Sequence, residues 1–199
     1  AQAVNTLWNN EQGELCGDNT DGIGLVRDLR RNLGVMLTGA RVLLVGAGGA
    51  GRGVARPLLE EQPAKLTISN RSPDKAEALV AELQESVTGS STRLNAIALD
   101  ACGRDRYDLV INATSSGLSG DRPALDPAVF APGALAYDMV YGPGQTPFQR
   151  WAEASGAARS ADGVGMLVEQ AAESFTIWNG IRPDTARVIA DLRADLAGG

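Results

Sequence analysis

Residues 41–53 read RVLLVGAGGAGRG, and the fold follows from how that stretch is parsed. Val42, Leu43, Leu44 and Val45 form an unbroken apolar run of the kind found in strands buried on both faces of a parallel sheet. The run leads directly into Gly46-Ala47-Gly48-Gly49-Ala50-Gly51. In this G-x-G-x-x-G spacing, Gly46 permits a tight turn, Gly48 lets backbone approach a pyrophosphate, and Gly51 lets the following helix pack closely on the strand. A helix starting here presents free N–H groups and the positive end of its dipole to an anion. The glycine pattern alone would suit any glycine-rich βα turn; the strand before it, the helix after it and the strand beyond make it a nucleotide loop.

Working outward, further strands are expected at 65–69 (KLTIS), 94–99, 108–112 (DLVIN), 134–140 (ALAYDMV) and 158–160. Helices are expected at 51–61, at 73–83 with proline in the first turn, and at 147–154, with a loop at 87–92. This alternation predicts an α/β fold, a Rossmann-like doubly wound parallel sheet covered on both faces, over residues 22–162. On the N-terminal side, Ile23, Leu25, Val26, Leu29 and Leu33 define a helix over 22–33, with Thr20 or Asp21 as N-cap. Residues 3–8 and 14–17 flank NNEQG as a hairpin. Helices at 163–179 and 183–196 close the chain. Residues 1–21 and 163–199 are therefore assigned to part of a second α/β domain.

The chain has 199 residues, 18 Lys+Arg against 24 Asp+Glu, a net charge of −6, two cysteines and no histidine. The acidic balance argues against generic nucleic-acid binding. Absence of histidine excludes Ser-His-Asp and Cys-His catalysis and imidazole metal ligation, and no metal site is expected. Of the basic residues only Lys65 and Lys75 are lysines, so side chains able to take a proton near neutrality are few. No apolar stretch is long enough to span about 30 Å of hydrocarbon, and no signal-peptide pattern opens the chain. With Cys16 and Cys102 outside any CxxC spacing, a reducing, cytoplasmic setting is expected.

The end of the second sheet strand selects the cofactor. An NAD site usually places Asp or Glu there to bind the ribose 2′-hydroxyl, whereas this chain has Asn70, Arg71 and Ser72, with Lys75 one helical turn on. A guanidinium forks onto a 2′-phosphate and a nearby ammonium adds charge, which favours NADP. The competing reading is a solvated surface pair between Arg71 and Asp74.

Seven segments, AVNT (3–6), GDNTDG (17–22), GAGGAGRG (46–53), NRSPDKA (70–76), INATSSG (111–117), YDMVY (137–141) and ADGVGMLVEQA (161–171), together resemble the shikimate dehydrogenase family. The resemblance runs over nearly the whole chain. It implies NADP-linked hydride transfer between 3-dehydroshikimate and shikimate, in aromatic amino-acid and chorismate biosynthesis. Carried over by position, it implies that Asn5, Asp21, Tyr141 and Gln170 contact substrate. Gly46, Ala47, Gly48, Gly49 and Ala50 would hold the pyrophosphate. Asn70, Arg71, Ser72 and Lys75 would hold the 2′-phosphate. Thr114 and Ser115 would line the cofactor cleft, Met139 would pack near the nicotinamide, and Gly163 would contact cofactor.

The family's substrate domain also carries a Ser-x-Ser pair for the substrate carboxylate and a lysine that works with the aspartate at the position of Asp21. Neither is recognisable in these 199 residues, because Lys65 opens a strand and Lys75 lies by the cofactor phosphate. Gln2 also stands where the family commonly has glycine. The expectation is a chain lacking the N-terminal part of the substrate domain, which binds NADP, turns shikimate over negligibly and self-associates through the exposed face. The alternatives are a stand-alone NADP-sensing module without chemistry and a quinate/shikimate relative preferring NAD. A methyltransferase, which also uses a glycine-rich loop, is disfavoured by Asn-Arg after the second strand.

Overall fold

The computed structural model describes residues 3–87 and 89–198; Gln2, and Thr88 within the expected 87–92 loop, lie outside them. An antiparallel hairpin comes first, β1 (Thr6–Asn9) with β2 (Leu15–Asp18). Next is α1 (Asp21–Arg27), continued by a π-helical turn at Asp28–Asn32. The strand–helix alternation then runs β3 (Arg41–Val45), α2 (Gly49–Glu60), β4 (Lys65–Asn70), α3 (Pro73–Leu83), β5 (Arg93–Ala98) and β6 (Tyr107–Asn112). It finishes with β7 (Phe130–Asp138), α4 (Pro147–Ala154), β8 (Arg159–Ala161), α5 (Val164–Asn179) and α6 (Thr185–Gly198).

Strands β3 to β8 make one parallel sheet in the order β5-β4-β3-β6-β7-β8. The winding reverses between β3 and β6, and it is outside the C-terminal strand ends at such a topological switch point that open α/β sheets carry their ligand crevice. Side chains alternate across the sheet. Val42, Leu44, Leu66, Ile68, Leu109 and Ile111 pack under α1, α2 and α3, with Leu25, Leu29, Val54, Leu58 and Leu79. Leu43, Val45, Val110 and Ala136 face Phe130 and Phe148 on the other side.

The structure departs from the sequence expectations where tertiary contacts intervene. The expected 22–33 helix widens at Asp28, where Leu33 N–H reaches back to the Asp28 carbonyl at 3.0 Å. The wide turn keeps both Asp28 and Leu29 in the interior. Thr20 is the N-cap of α1, yet its hydroxyl does not cap; it bonds Asn5, Gln170 and Ser174 instead. Strand β7 starts at Phe130 rather than 134, because Gly133, at φ +81°, accommodates a register shift opposite Tyr107 and Leu109. The last helix starts after Pro183, where the Asp184 carboxylate accepts from Ala186 N–H at 3.1 Å.

Helix α5 crosses α1 closely enough that only glycine fits: a Cβ on Gly24 would stand 2.8 Å from the Gln170 nitrogen. Met166 of α5 shares the core that holds Leu25, Leu29 and Tyr137. This packing delivers α5 to the edge of the crevice. Near the hairpin, Leu7, Leu15, Trp178 and Ile181 remain exposed, with the Trp178 indole N–H bonded to the Leu7 carbonyl at 2.9 Å.

Candidate functional site

The loop after β3 is tight because backbone meets backbone. Gly46 has φ +116° and donates to the Ser69 carbonyl at 2.7 Å, and any Cβ there would stand 2.9 Å from the Ala113 carbonyl. A Cβ on Gly51 would stand 2.0 Å from the Gly46 oxygen. Gly48 and Gly49 differ: a Cβ on either would meet nothing within 4 Å. The space in front of α2 is open there, and Gly48 supplies no side-chain cap to the first-turn amides. This combination of an uncapped helix start and room at its tip suits a phosphate group.

Asn70 braces this loop. Its carbonyl oxygen accepts from Ala47 N–H at 3.2 Å and its amide donates to the Ser72 carbonyl at 3.1 Å. Arg71, Ser72 and Lys75 are exposed at the start of α3. Among the described residues neither Arg71 nor Lys75 is in an ion pair, so the Arg71–Asp74 pairing does not form. Lys65, by contrast, pairs with Asp105 at 2.5 Å and lies over the Tyr107 ring.

On the other side of the switch point, the ends of β6 and β7 form the floor. Thr114 donates through its hydroxyl to Asn112 Oδ1 at 2.7 Å, and Ser115 opens a short 3₁₀ turn. Met139, just past β7, is partly buried against the core, and a Cβ on Gly163 would stand 2.2 Å from the Met139 carbonyl. The Gly46–Thr114 and Met139–Gly163 approaches are joined through Asn112, whose backbone carbonyl accepts from Met139 N–H at 2.9 Å.

Three residues from distant parts of the chain meet at the hairpin. Asn5 Nδ2 donates to Asp21 Oδ1 at 2.9 Å and to Gln170 Oε1 at 3.4 Å. Asn5 Oδ1 accepts from Thr20 N–H at 3.0 Å and from the Thr20 and Thr6 hydroxyls. Thr6 and Ser174, both buried, join at 2.6 Å beneath the cluster. Such a set of short amide, carboxylate and hydroxyl groups can bind a polyol and discriminate against analogues lacking a hydroxyl. Tyr141, 42% exposed, has no hydrogen bond to this cluster among the described residues.

As members of this cluster Thr6, Thr20 and Ser174 escaped the sequence reading, which took Thr20 only as a helix cap. Ser174 follows Gln170 by one helical turn, so the two share a face of α5, and that spacing was the available signal. Asn112 and Asp138 were also passed over as strand residues, although each is fully buried and polar at the end of an apolar strand. Burial raises the Asp138 carboxyl pKa above its usual range, opposed by hydrogen bonds from Thr146, Val140 N–H and Asn112. Asp28 behaves alike: burial raises its pKa, while Asn32 at 2.9 Å and the Tyr137 hydroxyl at 2.7 Å donate to it. Two grooves of about 700 and 400 Å³ are lined by α1, α2, α3 and hairpin residues and by none of the strand-end groups. Among the described residues no cluster of three acidic or thiol groups could hold a metal, and no helix is long and apolar enough to cross a membrane.

Comparison with known proteins adds a consistent result. Residues 28–119 match the family model described as shikimate / quinate 5-dehydrogenase, and residues 163–193 match the shikimate 5′-dehydrogenase C-terminal domain. The chain is 57% identical to the shikimate dehydrogenase (NADP(+)) of Dechloromonas aromatica, over 98% of this chain and 69% of that protein. Its structure is similar to an Ael1 enzyme from Pseudomonas putida, with TM-score 0.87 and 49% identity over 96% of this chain and 68% of that one. It is also similar to shikimate 5-dehydrogenase from Thermus thermophilus in complex with NADP(H) and shikimate, with TM-score 0.80 and 35% identity over the same shares of the two chains.

Proposed function

The chain belongs to the shikimate dehydrogenase family, and from that premise we propose that its strand-end crevice binds NADP while the Asn5–Asp21–Gln170 cluster binds the hydroxyls of shikimate or 3-dehydroshikimate. The observation carrying the proposal is that cluster, assembled from residues 5, 21 and 170 by bonds of 2.9 and 3.4 Å. Gly46 to Ala50 would hold the pyrophosphate at the uncapped start of α2, where Gly48 and Gly49 leave room. Arg71, Ser72 and Lys75 would hold the 2′-phosphate, and Asn70 would shape the loop between the two anion sites through its bond to Ala47. Thr114, Ser115, Met139 and Gly163 would line the cleft beside the nicotinamide. Bound NADP supplies the hydride acceptor. The chain's own groups orient the substrate carbinol through Asn5, Asp21, Gln170 and Tyr141. In this reading the hairpin and residues 163–199 form the substrate side, and 22–162 the cofactor side.

The same reading makes the 199-residue polypeptide a poor catalyst by itself. Oxidising a carbinol releases a proton, and a carboxylate is a weaker acceptor for it than the amine of a lysine. Lys65 is committed to Asp105, and Lys75 lies on α3 beside the proposed phosphate site. An NADP-binding module without chemistry is a second reading, favoured by the lack of a lysine bonded to Asp21 among the described residues. The assembled polyol cluster favours the dehydrogenase. A NAD-preferring quinate/shikimate relative is disfavoured by Arg71 and Lys75, neither of which is in an ion pair among the described residues. Self-association through the Leu7–Trp178 face and a reducing, cytoplasmic setting, which suits the free Cys16 and Cys102, complete the proposal.

Titration by tryptophan fluorescence tests it: saturable binding of NADP, much weaker binding of NAD, and shikimate binding to the NADP-saturated chain are expected. No shikimate binding would favour the sensing module. Turnover of shikimate near the rate of a full-length relative would overturn the weak-catalyst reading, and monomers at all concentrations in sedimentation would overturn self-association.

A further inference from the structure

Beneath the crevice floor, one polar chain runs from the start of α4 to the cofactor side. Asn112, Asp138 and Thr146 are all buried. The Thr146 hydroxyl donates to Asp138 Oδ2 at 2.6 Å while accepting the Gln149 N–H of its own helix at 3.2 Å. Asp138 Oδ1 accepts from Asn112 Nδ2 at 2.9 Å and from Val140 N–H at 3.2 Å. Asn112 Oδ1 accepts both the N–H and the hydroxyl of Thr114, at 3.1 and 2.7 Å.

The orientation of the Asn112 amide is therefore dictated from below. A carboxylate accepts and does not donate, so Asp138 must meet the NH₂ end, which turns the carbonyl end toward Thr114. Reversed, the amide would set oxygen against carboxylate and NH₂ against the Thr114 N–H, leaving buried groups unsatisfied. The same carboxylate holds Val140 N–H, and so fixes the backbone that places Met139 against Gly163. Both halves of the floor hang on one side chain.

The geometry points to Asp138 as a positioning residue that, acting through Asn112 and Val140, sets Thr114 and Met139 for the nicotinamide half of the dinucleotide, with Thr146 as its anchor. This rests on the NADP reading above. It also separates the two ends of the ligand, because Arg71 and Lys75, which would hold the 2′-phosphate, make no bond to this network.

Asp138→Asn can satisfy Thr146 or Asn112 as an acceptor, but not both in the present arrangement. The test compares affinities for NADP and for 2′,5′-ADP, which carries only the adenosine half, in the wild-type chain, Asp138→Asn, Thr146→Val and Thr146→Ser. We expect Asp138→Asn and Thr146→Val to weaken NADP by about tenfold, the scale of one lost buried hydrogen bond. Binding of 2′,5′-ADP should stay within about twofold, and Thr146→Ser, which keeps the hydroxyl, should restore NADP affinity. Equal loss of both ligands would reduce the network to a structural role and overturn the inference, as would unchanged NADP affinity in both variants. If Asp138→Asn does not fold, the Thr146 variants decide alone, because they leave the Asp138 carboxylate and its bonds to Asn112 and Val140 in place. Failure of the wild-type chain to bind either ligand would instead overturn the cofactor reading, and this inference with it.

Discussion

Replacing Gly51 and Gly48 by alanine one at a time separates what the glycine loop does for the fold from what it does for a ligand. In Gly51→Ala the new methyl would begin 2.0 Å from the Gly46 oxygen and 2.9 Å from its carbonyl carbon. Carbon–oxygen contacts normally start near about 3.3 Å, so strand and helix must part by more than about 1 Å. Gly46 cannot recoil freely: its N–H is tied to Ser69 at 2.7 Å, and the space where its Cβ would stand is already closed by Ala113 and Thr114 backbone. Overpacking of this kind costs about 1–3 kcal/mol, and a backbone obstacle places it at the upper end. Alanine's better helix propensity returns up to about 1 kcal/mol, leaving a net loss of about 2 kcal/mol. At about 2–4 °C per kcal/mol for a chain of this size, Tm falls by about 4–8 °C.

Gly48→Ala meets nothing within 4 Å, and its φ of −80° and ψ of −167° suit any residue. Its stability cost is the N-cap preference alone, under about 1 kcal/mol. Yet the methyl stands in the space proposed for the pyrophosphate, and NADP affinity should fall by about tenfold or more, the scale of one lost charge-assisted contact. Thermal unfolding by circular dichroism and fluorescence titration of NADP read the two effects. A Gly51→Ala variant melting with the wild type would refute the packing argument, and undiminished NADP binding by Gly48→Ala would refute the phosphate assignment.

Arg71→Ala should weaken NADP by about 10–100-fold and leave NAD within about twofold if, as proposed, the guanidinium serves the 2′-phosphate alone; parallel titrations check this, and equal losses would remove Arg71 from the phosphate site. Tyr137→Phe deletes the 2.7 Å donor to Asp28 and should cost about 1–3 kcal/mol, read from urea midpoints. Burial raises the Asp28 pKa, so its folded form holds a proton to higher pH than the unfolded chain does. That contribution to stability is complete below the ordinary carboxylate value of about 4 and is lost as pH rises through the folded value. The stability of the wild type relative to Asp28→Asn should therefore decline on going from acid to neutral pH, and a pH-independent difference would show that Asp28 does not titrate as described.

Much of this was legible before any coordinates, and the boundary is instructive. Helices α3 and α4 start where Pro73 and Pro147 put them, because proline's fixed φ and missing N–H suit a first turn wherever it occurs. The glycine loop was readable for a similar reason: its constraints lie within a few residues. Asp28 was not. On the chain it is one more charged residue in an amphipathic helix, and its burial depends on Gly165 leaving space and on Tyr137 bringing a hydroxyl from 109 residues away. Thr20 looked like a helix cap and instead gives its hydroxyl to groups that arrive from residues 5, 170 and 174.

The sequence by itself determined the strand–loop–helix unit at residues 41–60, the two cations Arg71 and Lys75 just past β4, and the residue types of the Asn5–Asp21–Gln170 cluster. Those properties depend on local backbone preference and on chemical identity, both written residue by residue. Only the tertiary structure decided the strand order, the meeting of Asn5, Asp21 and Gln170, and the buried line from Thr146 through Asp138 to Thr114. Each of these depends on which distant groups come within hydrogen-bond reach once the sheet closes, and a buried polar side chain has no defined partner until the packing around it supplies one.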